Sequence, residues 1–99
     1  MVFQVIFKPL AQLEASEAFK WYSQRHIGMG GAFLAELERT NGFLANNPHL
    51  YPSAEQEIRR ANLSRFPYSL FYVVDDDVVS VLSCFHQHRE PKSRDELLR

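Results

Sequence analysis

The chain opens on an apolar run, Val2-Phe3-Gln4-Val5-Ile6-Phe7, that stops at Lys8-Pro9. Its density of Phe, Val and Ile predicts a short buried strand over residues 2–7. Pro9 falls where a helix can begin, because a first-turn residue needs no intrahelical amide donor. From Leu10 to His26, Ala11, Ala15, Ala18 and Tyr22 share one stripe flanked by Phe19, while Glu14, Glu17, Lys20 and Gln24 fall largely elsewhere. That is the pattern of an amphipathic helix with its acids toward the start and its bases toward the end. Gly28-Met29-Gly30-Gly31 breaks it, and a second helix is expected from Ala32 to Asn46 or Asn47, carrying Phe33, Leu34, Leu37, Phe43 and Leu44. Asn47-Pro48 ends that helix, since a residue before proline is pushed out of helical geometry.

The remainder reads as β structure. Strands are expected over Ile58–Ser64, Tyr68–Val74 and Val78–His86, the last two joined by Asp75-Asp76-Asp77 as an antiparallel hairpin. Tyr68 to Val74 carries bulky residues on both parities, which suits a central strand covered on both faces. Residues 87–99 are polar, with Leu97 and Leu98 as their apolar content, and are expected to form a tail or a short closing helix. The order strand, helix, helix, three strands predicts an α+β domain with a helical hairpin on one face of a mainly antiparallel, four-stranded sheet.

Length and composition narrow the picture. Ninety-nine residues with 45% hydrophobic content supply one core and no second domain. A single cysteine excludes an internal disulfide or a Cys-based zinc site and fits a reducing cytosol. The N-terminal run has no basic leader or small-residue cleavage site, and no apolar stretch approaches the ~18 residues of a membrane span. A cytoplasmic protein is expected. Net charge is -1, but residues 58–72 hold Arg59, Arg60 and Arg65 with no acid. A cationic edge on a near-neutral protein points to a defined anionic contact rather than general nucleic-acid affinity.

Three segments, in order, resemble the RelE/ParE superfamily of type II toxins, in its ParE-like, plasmid-stabilisation branch. They are Phe7-Lys8-Pro9-Leu10-Ala11 with Glu14 and Ala18 to Tyr22; then Phe33 to Leu37 with Asn47-Pro48 and Tyr51-Pro52. The third joins Ile58-Arg59-Arg60, Phe66 to Tyr72, and Val81 to Arg89 with Pro91. The resemblance implies a β-α-α-β-β-β fold and a small toxin neutralised by an antitoxin encoded beside it, with no cofactor, metal or small-molecule substrate. ParE-like members are associated with poisoning DNA gyrase, whereas RelE-like members cleave mRNA on the ribosome without a metal. An antitoxin that folds on docking needs an apolar groove, and Trp21, Tyr22, Phe33, Leu37 and Arg60 are the residues expected to meet it.

On the RelE-like alternative, arginines would stabilise the phosphorane and a histidine would move the proton. The residues expected to serve are Arg59, Arg60, Arg65, His86 and Arg89, with His88 a second proton carrier and Lys92 an auxiliary cation. The RelE-like pattern also carries more lysine and arginine on its second strand and an ionisable aromatic near the C-terminus. Here the last aromatic is Phe85. Arg59 and Arg60, being adjacent on a strand, must point to opposite faces, and either could instead pair with Glu36 or Glu38. His86-Gln87-His88 has metal-ligand spacing but no complementary ligand and reads as a solvated pair. Cys84 and His86 share a strand face, yet a cysteine amid Val81, Leu82 and Phe85 reads as core. The Gly28–Gly31 run follows no strand and fails as a phosphate cradle.

Overall fold

The computed structural model describes residues 2–89 and 93–98. Pro9 does start a helix, α1 (Pro9–Arg25), directly after the strand β1 (Gln4–Phe7). Ala11, Ala15, Ala18 and Tyr22 form its buried stripe. The turn to α2 (Met29–Asn46) is shorter than the glycine run suggests. Gly28 alone takes a positive φ, 83°, while Gly30 and Gly31 lie inside α2. Gly30 is there for a close helix crossing, since a Cβ on it would lie 1.9 Å from Ser23 Oγ and 3.0 Å from the Phe19 ring on α1. The expectation that α2 begins at Ala32 is corrected by this packing.

Four strands follow: β2 (Ser53–Glu55), β3 (Ile58–Asn62), β4 (Tyr68–Asp75) and β5 (Val78–His86). The sheet order is β1-β5-β4-β3-β2. The four expected strands are all present, and three-residue β2 adds a short fifth at the edge. β1 joins β5 in parallel and the other pairs are antiparallel, so the sheet is mixed. The two helices and three strands that intervene between β1 and β5 permit that parallel pairing, which a tight turn could not. The tail forms α3 (Arg94–Leu97), preceded by a capping box in which Ser93 Oγ accepts from the Glu96 amide and Glu96 Oε1 accepts from the Ser93 amide. Glu90, Pro91 and Lys92 lie outside the described residues.

The helical hairpin covers one sheet face. Its core joins Ala11, Ala15, Ala18, Tyr22, Phe33, Leu37 and Leu44 to Ala61, Leu70, Tyr72, Val79, Val81 and Cys84. On the opposite face, away from the helical hairpin, Ile58, Phe71, Leu82 and Phe85 pack with Leu97 of α3 and with Leu10 from the first turn of α1. β4 is therefore covered on both sides, as its two-parity pattern predicts.

One residue breaks the register of the central hairpin. From Asp75–Val78 to Tyr72–Val81 the pairing is regular, but Phe71 pairs with Ser83, leaving Leu82 as an extra residue in β5. Such a bulge moves every later side chain to the other face. A continuous register would set Phe85 across from Tyr68; the bulge sets His86 there instead and Phe85 across from Ser69. The carboxylate of Glu14, from α1, braces this stretch: its Oε1 accepts from Ser83 Oγ at 2.7 Å and from the Cys84 amide at 2.9 Å. β1 pairs only as far as Val81, so Glu14 satisfies an edge amide that has no strand beside it.

A second helix carboxylate closes the other end of the sheet. Glu36, on the buried stripe of α2 and 3% exposed, accepts through Oε2 from the Ser64 amide (2.8 Å) and Ser64 Oγ (2.7 Å), and its Oε1 pairs with Arg39. Glu36 thus serves the β3–β4 loop rather than Arg59 or Arg60. Truncating it would remove the buried carboxylate that takes both Ser64 donors and ties the β3–β4 loop to α2. We predict that Glu36→Ala lowers unfolding stability by about 2–3 kcal/mol in urea titrations, while Glu38→Ala, on the exposed side of α2, changes it by less than about 0.5 kcal/mol.

Candidate functional site

Between the C-terminal half of α1, the α1–α2 turn and the end of β5 lies an open cleft of about 910 Å³. Trp21, Arg25 and His26 line one wall, and Tyr68, His86, His88 and Arg89 the other. Trp21 is on this surface because the helical stripe that buries Tyr22 leaves its neighbour outside, 49% exposed. The Arg25 guanidinium lies 4.5 Å from the Trp21 ring, a cation–π contact that also places a cation at the helix C-terminus.

The opposite wall is a short turn tied to β4. Gln87 donates its amide to the Pro67 carbonyl at 2.8 Å and its side chain to the Tyr68 carbonyl at 3.0 Å. The His86 ring sits edge-on to Tyr68, with centroids 5.1 Å apart, and its Nδ1 accepts from the His88 amide at 3.1 Å. Burial, with His88 and Arg89 nearby, holds its pKa below 6.5. Burial, and then Tyr22, raises the Tyr68 phenol above 10, so that it stays protonated near neutral pH. Burial, and then Glu14, pushes the Cys84 thiol up to about 12. Cys84 is thus an inert core thiol and no partner for His86 in nucleophilic chemistry. Among the described residues no group of three or more His, Cys, Asp or Glu could hold a metal ion.

Of the residues that the RelE-like alternative requires, the cleft unites His86 and Arg89 and leaves out the other three. Arg59, on the helix face of β3, donates to the carbonyls of Tyr51 (2.6 Å) and His49 (3.3 Å), holding the loop that follows α2. The Tyr72 hydroxyl donates to the Pro48 carbonyl and secures the same loop. Arg60 lies on the opposite face, the one that α3 packs on, near Phe71 and Phe85. Arg65 is exposed in the β3–β4 loop. Lys92 lies outside the described residues. The set expected to act together is divided between two faces of the sheet and a loop.

The residues expected to meet an antitoxin divide as well. Trp21 is on the surface and Arg60 is half-buried, but Tyr22 (8% exposed), Phe33 (0%) and Leu37 (7%) are core. The correction has a packing cause: Tyr22 stacks on Phe33, and both meet Phe66 and Tyr68 where the hairpin closes on the sheet. Tyr68, Glu14 and the Trp21–Arg25 pair are cleft features that sequence reasoning missed. Tyr68 was detectable in principle from the hairpin, had the bulge been known. Arg25 follows Trp21 by four residues, the helical spacing of side-chain neighbours.

A pH dependence follows from His86. A folded-state pKa held below the unfolded value makes the neutral ring stabilising above about 6.5, a contribution lost as pH falls through the lower folded value. We predict that NMR titration places the His86 midpoint below 6.5 and that His88→Ala raises it, by removing a neighbouring cation. A wild-type midpoint at or above 6.5 would contradict this geometry.

Comparison with known proteins agrees with this architecture. A family model described as the ParE toxin of the type II toxin–antitoxin system parDE matches residues 5–91. The fold is similar to a structure titled as the chromosomal ParDE toxin–antitoxin system of P. aeruginosa (TM-score 0.70, 18% identity, 86% of this chain and 96% of that one). It is also similar to the RelBE2 toxin–antitoxin complex of Mycobacterium tuberculosis (TM-score 0.62, 20% identity, 87% and 99%). Comparison with curated proteins returns no match. With the family model spanning most of the chain, from β1 to beyond β5, the protein belongs to the ParE toxin family, within the RelE/ParE superfamily of type II toxins.

Proposed function

We propose that this ParE toxin is held inactive by a cognate antitoxin in the cytoplasm and acts by binding a replication target such as DNA gyrase, not by cutting mRNA. The observation that carries the reading is the division of the arginines. Metal-free cleavage of RNA needs a proton carrier and guanidinium groups within reach of one phosphate. His86 has Arg89 beside it, but Arg59 is committed to two loop carbonyls and Arg60 occupies the other face of the sheet. A net charge of -1 gives little attraction toward RNA. Similar folds in a ParDE system and a RelBE2 complex support a partner that masks the toxin. Among the described residues no helix is long and apolar enough to cross a membrane, which is compatible with a cytoplasmic site of action.

The test is a pair of assays on the purified toxin. We predict that it inhibits supercoiling by purified gyrase, with accumulation of cleaved DNA, and leaves the yield of cell-free translation unchanged. Loss of translation that His86→Ala restores would replace this reading with a ribosome-dependent endonuclease. Inactivity in both assays, from a protein that still binds its antitoxin, would make the chain a degenerate toxin.

A further inference from the structure

The cleft wall at the end of β5 is a turn fastened by its own first residue. His86 closes the ladder across from Tyr68, and the chain then reverses. The Arg89 amide donates to the His86 carbonyl at 3.0 Å. Inside that turn the His88 amide donates to His86 Nδ1 at 3.1 Å. A ring nitrogen thus does what an Asn or Asp oxygen does when it takes the amide two residues on. Unlike that oxygen, Nδ1 accepts only while it carries no proton, so this bond requires the neutral, Nε2-protonated ring.

The two ends of the turn are held differently. Gln87 is tied to the chain entering β4 by its amide, on the Pro67 carbonyl, and by its side chain, on the Tyr68 carbonyl, and no group in these bonds titrates. His88 and Arg89 are fastened through His86 itself, by Nδ1 and by the carbonyl. The His88 ring centroid lies 5.2 Å from that of His86, and Arg89 lines the same wall. Among the described residues, three groups packed nearby stay protonated around neutral pH: the Tyr22 and Tyr68 phenols and the Cys84 thiol, all raised first by burial. Glu14 is engaged by Ser83 and the Cys84 amide. Glu17, Arg25 and His26 line the cleft from the α1 side, one acid against two bases.

We propose that His86 is a proton-operated latch: its neutral ring holds His88 and Arg89 on the cleft wall, and protonation releases them while Gln87 keeps the end of β5 in place. Protonation sets a second N–H donor against the His88 amide and adds positive charge beside two basic side chains. The bond belongs to the neutral ring, so it stands above the folded-state pKa and is lost as pH falls through that value. The geometry of the cleft becomes pH-dependent as a result. Its basic wall is fixed above the midpoint and free to rearrange below it.

The experiment is NMR of the 15N-labelled full-length protein at about pH 8 and about pH 5, either side of the His86 midpoint. A scalar coupling between the His88 amide nitrogen and His86 Nδ1 should be present at the higher pH and absent at the lower. The exchange protection of the His88 amide should fall about tenfold with the same midpoint as the His86 ring, while that of Gln87 persists. His86→Asn, which keeps an acceptor that does not titrate, should hold the His88 amide at both pH values; His86→Ala should leave it unprotected at both. Absence of the coupling at the higher pH, equal loss at Gln87, or an undiminished pH response in His86→Asn would each overturn the proposal. If the variants fail to fold, the wild-type coupling and the comparison of His88 with Gln87 still decide. Neither gyrase nor antitoxin takes part, so inactivity in the supercoiling assay would remove the proposed target and leave the latch standing.

Discussion

The contact on which the two faces of this molecule depend is made by one carboxylate. Glu14 of α1 reaches the part of β5 that β1 does not cover and takes the Ser83 hydroxyl and the Cys84 amide. It does so directly after Leu82, the residue inserted into the hairpin register. An inserted residue in a strand leaves ladder groups without partners, and an edge amide without a neighbour invites another chain. Glu14 answers both and ties α1 to the strand on which it packs.

The consequences run in both directions through the sheet. Because of the insertion, Cys84 and His86 face the helices and Phe85 faces away. Phe85 then stacks on Phe71 and supports Arg60, while His86 meets Tyr68 in the cleft beneath Trp21 and Arg25. Two surfaces of different chemistry result. One is an open cleft lined by histidine and arginine; the other sets Arg60 beside an apolar cluster that Leu97 of α3 covers. Glu36 performs for the β3–β4 loop what Glu14 performs for β5, so each long helix contributes one acid that fastens a sheet end lacking a strand partner.

Much of the fold was legible in the chain because periodicity reports burial. The stripe Ala11–Ala15–Ala18–Tyr22, the two-parity strand at Tyr68–Val74 and the stop at Asn47-Pro48 each correspond to an observed element or boundary. The parallel partner of β1 was not legible, since pairing direction depends on where a crossover lands. β2 was not legible either, being three residues whose one apolar side chain is an alanine. Site reasoning was weaker for one physical reason. Residue type identifies a group able to bind phosphate or move a proton, but its face is a property of register, and a one-residue insertion reverses it. Arg59 and Arg60 were separable by strand parity alone; His86 and Phe85 were not. The same limit explains Phe33 and Leu37. Apolar helix positions suggest a docking surface or a core equally well until the sheet that covers them is placed.

Ring-to-ring nuclear Overhauser contacts along β5, in the wild type and in Glu14→Ala, test this division of faces most directly. The account predicts that wild-type Phe85 contacts Phe71 and that His86 contacts Tyr68. In Glu14→Ala both contacts should weaken, while those of Val79 and Val81, before the insertion, persist. Phe85 found against Tyr68 and α1 in the wild type, or both contacts undiminished in the variant, would contradict it.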